Sequence, residues 1–388
     1  MNKKSLLFIF LLLSLTVILY LLLTPNISET SKVTELDNNN VNSTPIESES
    51  LASNLNKVLL GNKELQLENC STEQFMAPVY VNNNGDLYIK SRHDGKTYIF
   101  LSKNVDNYTS CELVHTFNTS GNVVGLSNYI YWTEYTRQKE GIIWEIKKLN
   151  LKDDSVIKID EGISKRGNEI PTLVSDNENV YWIEYHTLEN EITESTLFKY
   201  NDKVGKQKII IDQLHEKDGY NGNYLIYYSQ NKNNSLVYKS TFLDGDKQFE
   251  LLLNNDKTEK VVSNLTNLLD ITINENYVAL TGIDLVNVYK YDDLKLGALV
   301  YSVSGNKDSS VPSSEKTYDT PIFIDKNTLV YRIGMSEILL VDLKTNTEYK
   351  LNPNTTILSK PRFNNGFLVF AYKKEKQMVV RVLDFINR

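Results

Sequence analysis

The side chains of this chain that can transfer protons, bind a metal or attack a carbonyl are four histidines, two cysteines and 49 carboxylates. His93, His115, His186 and His215 fall in separate stretches and show no spacing that would place two ligands on one metal ion. No G-x-S-x-G elbow, H-E-x-x-H pair or G-x-x-x-x-G-K-[ST] loop occurs. The readable signatures of serine hydrolases, zincins and P-loop nucleotide binders are therefore missing. Carboxylates abound, but acid–base work needs two of them brought together by the fold, and sequence alone does not pair them. The segments "DNNN", "NNDK" and "KYDDLK" carry oxygens suited to calcium, yet turn chemistry accounts for them more simply. No catalytic residue, metal ligand or cofactor site is expected from motifs.

The elements that would position such residues are strands. The chain of 388 residues carries a net charge of −7, so no global basic field favours nucleic acid. Its 41% hydrophobic content suffices for a sizeable core. Tyrosine is abundant, with 24 copies, while methionine, glycine and proline are scarce, a bias that suits strands better than helices.

Residues 1–24 stand apart. Lys3 and Lys4 precede an uncharged apolar run, 6–23, which as a helix would span about 27 Å, close to the bilayer core. The run is longer than a usual signal-peptide core, and no small-x-small cleavage site follows. The expectation is an uncleaved, single-pass signal-anchor transmembrane helix with a cytoplasmic N-terminus and the remainder extracytoplasmic. The alternative is secretion after signal cleavage. Residues 25–55 are polar and lack a hydrophobic period, as a flexible stalk would.

From residue 56 to 388 short strand-forming runs alternate with Asn, Asp, Gly and Lys. An Asn or Ser recurs four positions before an aromatic residue or valine: Asn84 with Tyr88, Ser127 with Tyr131, Asn177 with Tyr181, Asn223 with Tyr227. Asn274 with Val278, Asn327 with Tyr331 and Asn365 with Val369 continue the series. The spacing, about 38 to 53 residues, is that of four-stranded propeller blades. Seven units can be counted, and the last lacks a fourth strand. The surplus run "KVLLGNKELQLE", 57–68, would supply that strand and close the ring. The expected fold is all-β, a seven-bladed β-propeller closed by an N-terminal strand, with six or eight blades as competing counts.

In "YIYWTEY", 129–135, and "VYWIEY", 180–185, bulky residues point to both sides of the strand, as packing between neighbouring blades requires. Tyr131, Trp132, Tyr181 and Trp182 are accordingly read as blade packing. Tyr131-Trp132-Thr133-Glu134 and Tyr181-Trp182-Ile183-Glu184 resemble the YWTD repeats of the low-density-lipoprotein-receptor family of propellers, with Glu in place of Asp. The wider strand repeats resemble TolB-like and dipeptidyl-peptidase-type propellers, which implies protein or peptide contacts and no chemistry by the propeller itself. "SRHDGKTY", 91–98, is similar to the Asp-box hairpin of sialidases. Ser91, Gly95 and Thr97 match, while His93 and Tyr98 stand at the Asp and Trp positions. That motif stabilises a hairpin and does not react.

Cys70 and Cys111 are the only cysteines. In an oxidising compartment they invite a disulfide that would latch the ring at its seam. Two separate thiols are the alternative. The functional expectation is a membrane-anchored binding or scaffolding module for an unknown protein, peptide or glycan, using variable loops such as 137–141 and 187–194. The alternative is a cell-envelope polysaccharide- or peptide-processing enzyme that uses carboxylates of the propeller channel.

Overall fold

A computed structural model describes residues 33–34, 63–66 and most of 75–386, with breaks of which 105–109, 255–258, 264–267 and 305–315 are the longest. The expected anchor, 1–24, lies outside the described residues. So does the stalk, 25–55, apart from the two-residue strand Val33–Thr34. Among the described residues no helix is long and apolar enough to cross a membrane.

Apart from two three-residue 3-10 turns, every described element is a strand. The strands form six hydrogen-bonded sheets, I to VI in chain order. Sheet I runs from Met76–Val81 outward through Leu87–His93 and Lys96–Ser102 to Glu112–Phe117. Sheet II repeats the plan from Ser120–Leu126 to Val156–Ser164. Sheet III extends from Val174–Ser175 to Glu259–Ser263, sheet IV from Leu268–Ile273 to Lys295–Ser304, and sheet V includes Tyr318–Phe323 through Thr347–Lys350. Sheet VI consists of Arg362–Asn364, Phe367–Lys374 and Gln377–Asp384, with Lys63–Gln66 paired on its outer edge.

The expectation of seven blades is corrected to six, and the reason is local. Leu214 and His215 pair with Gly222 and Asn221, so the outer strand Gly205–His215 continues into Asn221–Asn231. Two four-stranded repeats thereby become one eight-stranded sheet, III. Gly222 permits the junction: its φ is +117°, and a Cβ there would lie 2.1 Å from the Gln213 carbonyl oxygen.

Apart from Asn223, which lies inside the strand Asn221–Asn231, the recurring Asn or Ser positions fall in the turns between the first and second strands of a repeat. Asn82, Asp176, Asn274 and Asp325 each accept, through Oδ1, the backbone N–H two residues on. These Asx turns fold the first strand onto the second. Other side chains then staple neighbouring sheets. Tyr80 donates to the Ser127 carbonyl, Asn122 pairs with both backbone groups of Leu173, Asn274 reaches the Asp325 carbonyl, and Asn365 donates to the Val81 carbonyl. The last of these crosses from sheet VI back to sheet I. Apolar clusters fill the spaces between sheets, such as Leu87, Ile89 and Phe100 against Phe367, Val369 and Val380.

The closing strand is pinned by more than its ladder. Glu64 accepts from the Tyr372 hydroxyl at 2.6 Å and from Lys374 at 2.9 Å, with Arg381 at 3.4 Å. Burial raises the Glu64 pKa, but these partners outweigh it and leave the carboxyl below its ordinary value.

Candidate functional site

The innermost strands of all six sheets surround a cavity of 740 Å³, lined among others by Pro78, Asn122, Leu173, Asp270, Ile322 and Asn364. That volume lies within the range of small-ligand sites. Its wall is unevenly charged. Lys90, from the second strand of sheet I, and Arg362, the first residue of sheet VI, both line it, with Lys360 close by. Asp270 is the carboxylate among the lining residues. It accepts the Thr320 N–H at 3.1 Å and the Tyr227 hydroxyl, and Lys360 Nζ stands 4.0 Å away. Burial pushes the Asp270 carboxyl up, while Lys360, the Thr320 amide and Tyr227 pull it down. Arg332 also lines the cavity, but its fork binds both oxygens of Asp319, at 2.8 and 2.6 Å, and donates to the Leu358 carbonyl. That pair is neutral and occupied.

Lys90 is different. Burial first, and then the charges of Arg362 and Arg92, pull its ammonium down to about 8. Burial pulls the Arg362 guanidinium below its ordinary value too, against the opposing effect of Tyr227 and Asp270. Three cations, Lys90, Lys360 and Arg362, thus line the cavity with one carboxylate, Asp270.

The expected site residues lie elsewhere. Trp132 is buried between sheets I and II, stacked on Phe117 at 4.8 Å, and Trp182 is buried between sheets II and III beside Trp144 and Phe198. Tyr131 and Tyr181 are buried as well. Loops 137–141 and 187–194 do not line the channel cavity. His93 sits in the Asp-box-like hairpin, where Asp94 and Gly95 take positive φ. His115 packs beside Trp132, and His215 ends an outer strand. Among the described residues no three His, Cys, Asp or Glu side chains gather as metal ligands. Cys111 is disulfide-bonded, while Cys70 lies outside the described residues.

A second charged group, which motif reading missed, joins sheets II and III. Glu184 is buried, accepts the Trp182 indole N–H at 2.6 Å, and meets Lys206 Nζ at 2.7 Å and His186 Nε2 at 3.1 Å. Asp160 hydrogen-bonds to it, carboxyl to carboxylate, and also pairs with Lys206. Burial pushes Asp160 up to about 6, helped by Glu184 and opposed by Lys206. Glu184 is held far below its usual range because His186, Asp160, Lys206 and Trp182 together outweigh its burial.

This pair predicts a pH effect. Asp160 has a raised folded-state pKa, so its stabilisation is complete below its unfolded value and is lost as pH rises through about 6. His186, raised chiefly by Glu184, acts in the same direction. Asp160→Asn keeps a neutral donor, so at pH 7.5 the variant is expected to melt about 2 °C above the parent. The difference should shrink by pH 4.5 and vanish only below pH 3.8, the ordinary value of the carboxyl. An identical melting profile for the two proteins across this range would refute the shared proton.

Radial sheets around a lined channel, with N- and C-terminal strands meeting in one sheet, define a β-propeller. No protein-family model matches the sequence, and no curated protein matches it. Among solved structures, the β-propeller domain of the Trilobed protease from Pyrococcus furiosus is similar at a TM-score of 0.53, with 10% identity over 80% of this chain and 96% of that one. The acylaminoacyl peptidase of Pyrococcus horikoshii gives 0.47, with 10% identity over 77% of this chain and 51% of that one. An oligogalacturonate lyase in complex with manganese gives 0.49, with 9% identity over 79% and 88%. At these identities the likeness is one of fold alone.

Proposed function

We propose that this chain is a binding module that takes part of a protein, peptide or glycan partner into its central channel. In the same proposal its N-terminal apolar segment tethers it to a membrane, with the propeller on the extracytoplasmic side, and Cys70 pairs with Cys111. The observation that carries the binding reading is the 740 Å³ cavity, whose cations exceed its carboxylates. The channel gives the enzyme reading less support. Asp319 is bound by Arg332, and Asp270 is engaged by Thr320 and Tyr227. Two carboxyls working on a glycosidic bond need to face the substrate from both sides.

The test is a crosslinking pull-down with the full chain, beside a peptide and glycan binding screen, each repeated with Gly121→Phe. Gly121 lines the cavity, and a Cβ there meets nothing closer than Thr133 at 3.6 Å, so a bulky side chain can be placed at the channel wall. Ligands should be lost in the variant. Ligands that bind both proteins alike would sink the channel reading.

A further inference from the structure

We propose that the channel binds the free C-terminal carboxylate of a peptide ending in apolar residues, with Lys90 and Arg362 as its receptors. The inference rests on the channel reading above and adds the chemistry of the ligand.

Lys90 and Arg362 come from sheets I and VI, neighbours across the seam, and their charges act on each other. Among the described residues no hydrogen bond or ion pair reaches either side chain, and Asp270 acts on Arg362 only from a distance. Two half-buried cations whose charges act on each other are costly unless an anion joins them. A carboxylate suits both: the guanidinium fork matches its two oxygens, and the ammonium adds a point charge.

Asn364 narrows the class. It lies two residues after Arg362, on the same side of the strand, and lines the same cavity. Its Oδ1 is buried and has no hydrogen-bond partner. A small turn of this amide would bring the acceptor to the cavity, where a bound group with a donor beside its anionic oxygens satisfies it. A peptide terminus does so through its last backbone N–H, whereas a fully ionised phosphate or sulfate does not. An acidic sugar has hydroxyl donors, but the neighbouring wall suits it poorly. Phe75, Leu269 and Met335 line the cavity while 42%, 48% and 50% exposed, and they offer apolar surface to side chains.

The experiment titrates the full chain with acetyl-Gly-Leu-Phe-Leu as the free acid and as the C-terminal amide, and with digalacturonate and inorganic phosphate. The acid should bind, and the amide should bind about 10-fold more weakly or worse. Lys90→Met and Arg362→Met should each weaken the acid by a similar factor and leave the amide nearly unchanged. Lys90→Met should also melt no lower than the parent, because it removes a repulsion. That result separates lost recognition from lost folding.

Equal binding of acid and amide overturns the proposal, as does no binding of the acid at about 1 mM, a very weak limit. Digalacturonate or phosphate binding that Gly121→Phe abolishes, without peptide binding, overturns the peptide and leaves the channel reading standing. Binding of any probe that ignores Gly121→Phe overturns both.

Discussion

Truncating Trp182 to alanine is expected to lower stability by about 4 kcal/mol or more, and Trp132→Ala by about 4 kcal/mol. Both rings are buried, at 2% and 1% exposure, and each fills the space between two sheets. The two part company in their indole N–H groups. That of Trp182 donates to the buried Glu184 carboxylate at 2.6 Å, whereas that of Trp132 has no hydrogen-bond partner. Trp→Phe keeps most of the packing and deletes only the donor. Trp182→Phe should therefore cost about 1 to 2 kcal/mol more than Trp132→Phe, since it strips a bond from a charged group. Urea midpoints with unchanged slopes measure the difference. If the two Phe variants are equal, or Trp132→Phe is the worse, the indole–carboxylate bond contributes nothing to stability.

Opening the cysteine link is expected to be equally severe. Cys111 begins the outer edge of sheet I and packs against the cluster that joins sheet I to sheet VI. Paired with Cys70, as proposed, it closes a loop of about 40 residues, for which chain entropy gives about 4 kcal/mol. Cys111→Ser should lower the urea midpoint accordingly, and Cys70→Ser should match it. The double variant should add nothing further, and reductant should affect only the parent. A non-reducing peptide map showing Cys111 linked to anything other than Cys70, or a double variant worse than either single, would refute the pairing.

The strand repeat could be read from the sequence because its causes are local. An Asn or Asp that accepts a backbone N–H two residues on, followed by an apolar run, is written into five or six adjacent residues around Asn82, Asp176, Asn274 and Asp325. The N-terminal closing strand could be read for another reason: an unpaired outer edge in sheet VI would be an aggregation hazard. The blade count was not legible. It turns on two residue pairs at Leu214–Gly222 and His215–Asn221, which look like any other turn in one dimension.

The channel was hidden for a different reason. Lys90 in "DLYIKS" and Arg362 in "PRFNNG" read as ordinary solvated charges, and only radial closure brings them to one cavity. One signal was available. A lysine in the middle of a second strand, whose neighbours Leu87, Tyr88 and Ile89 are all buried, has no solvated face to occupy. The loops 137–141 and 187–194 attracted attention through polarity and length, and they lie away from the lined cavity.

The pairing of Lys63–Gln66 with Gln377–Asp384 also sets a clock on synthesis. Glu64 and Arg381 are 317 residues apart in the chain and must meet for sheet VI to be complete. At ribosomal speeds the early strand waits roughly 15 to 60 s for its partner to be made. Throughout that interval sheets I to V can form, but the ring cannot shut, and the inner walls of sheets I and V stay open to other chains. Of all the contacts described, the one made last is the one that commits the whole chain to a single closed copy.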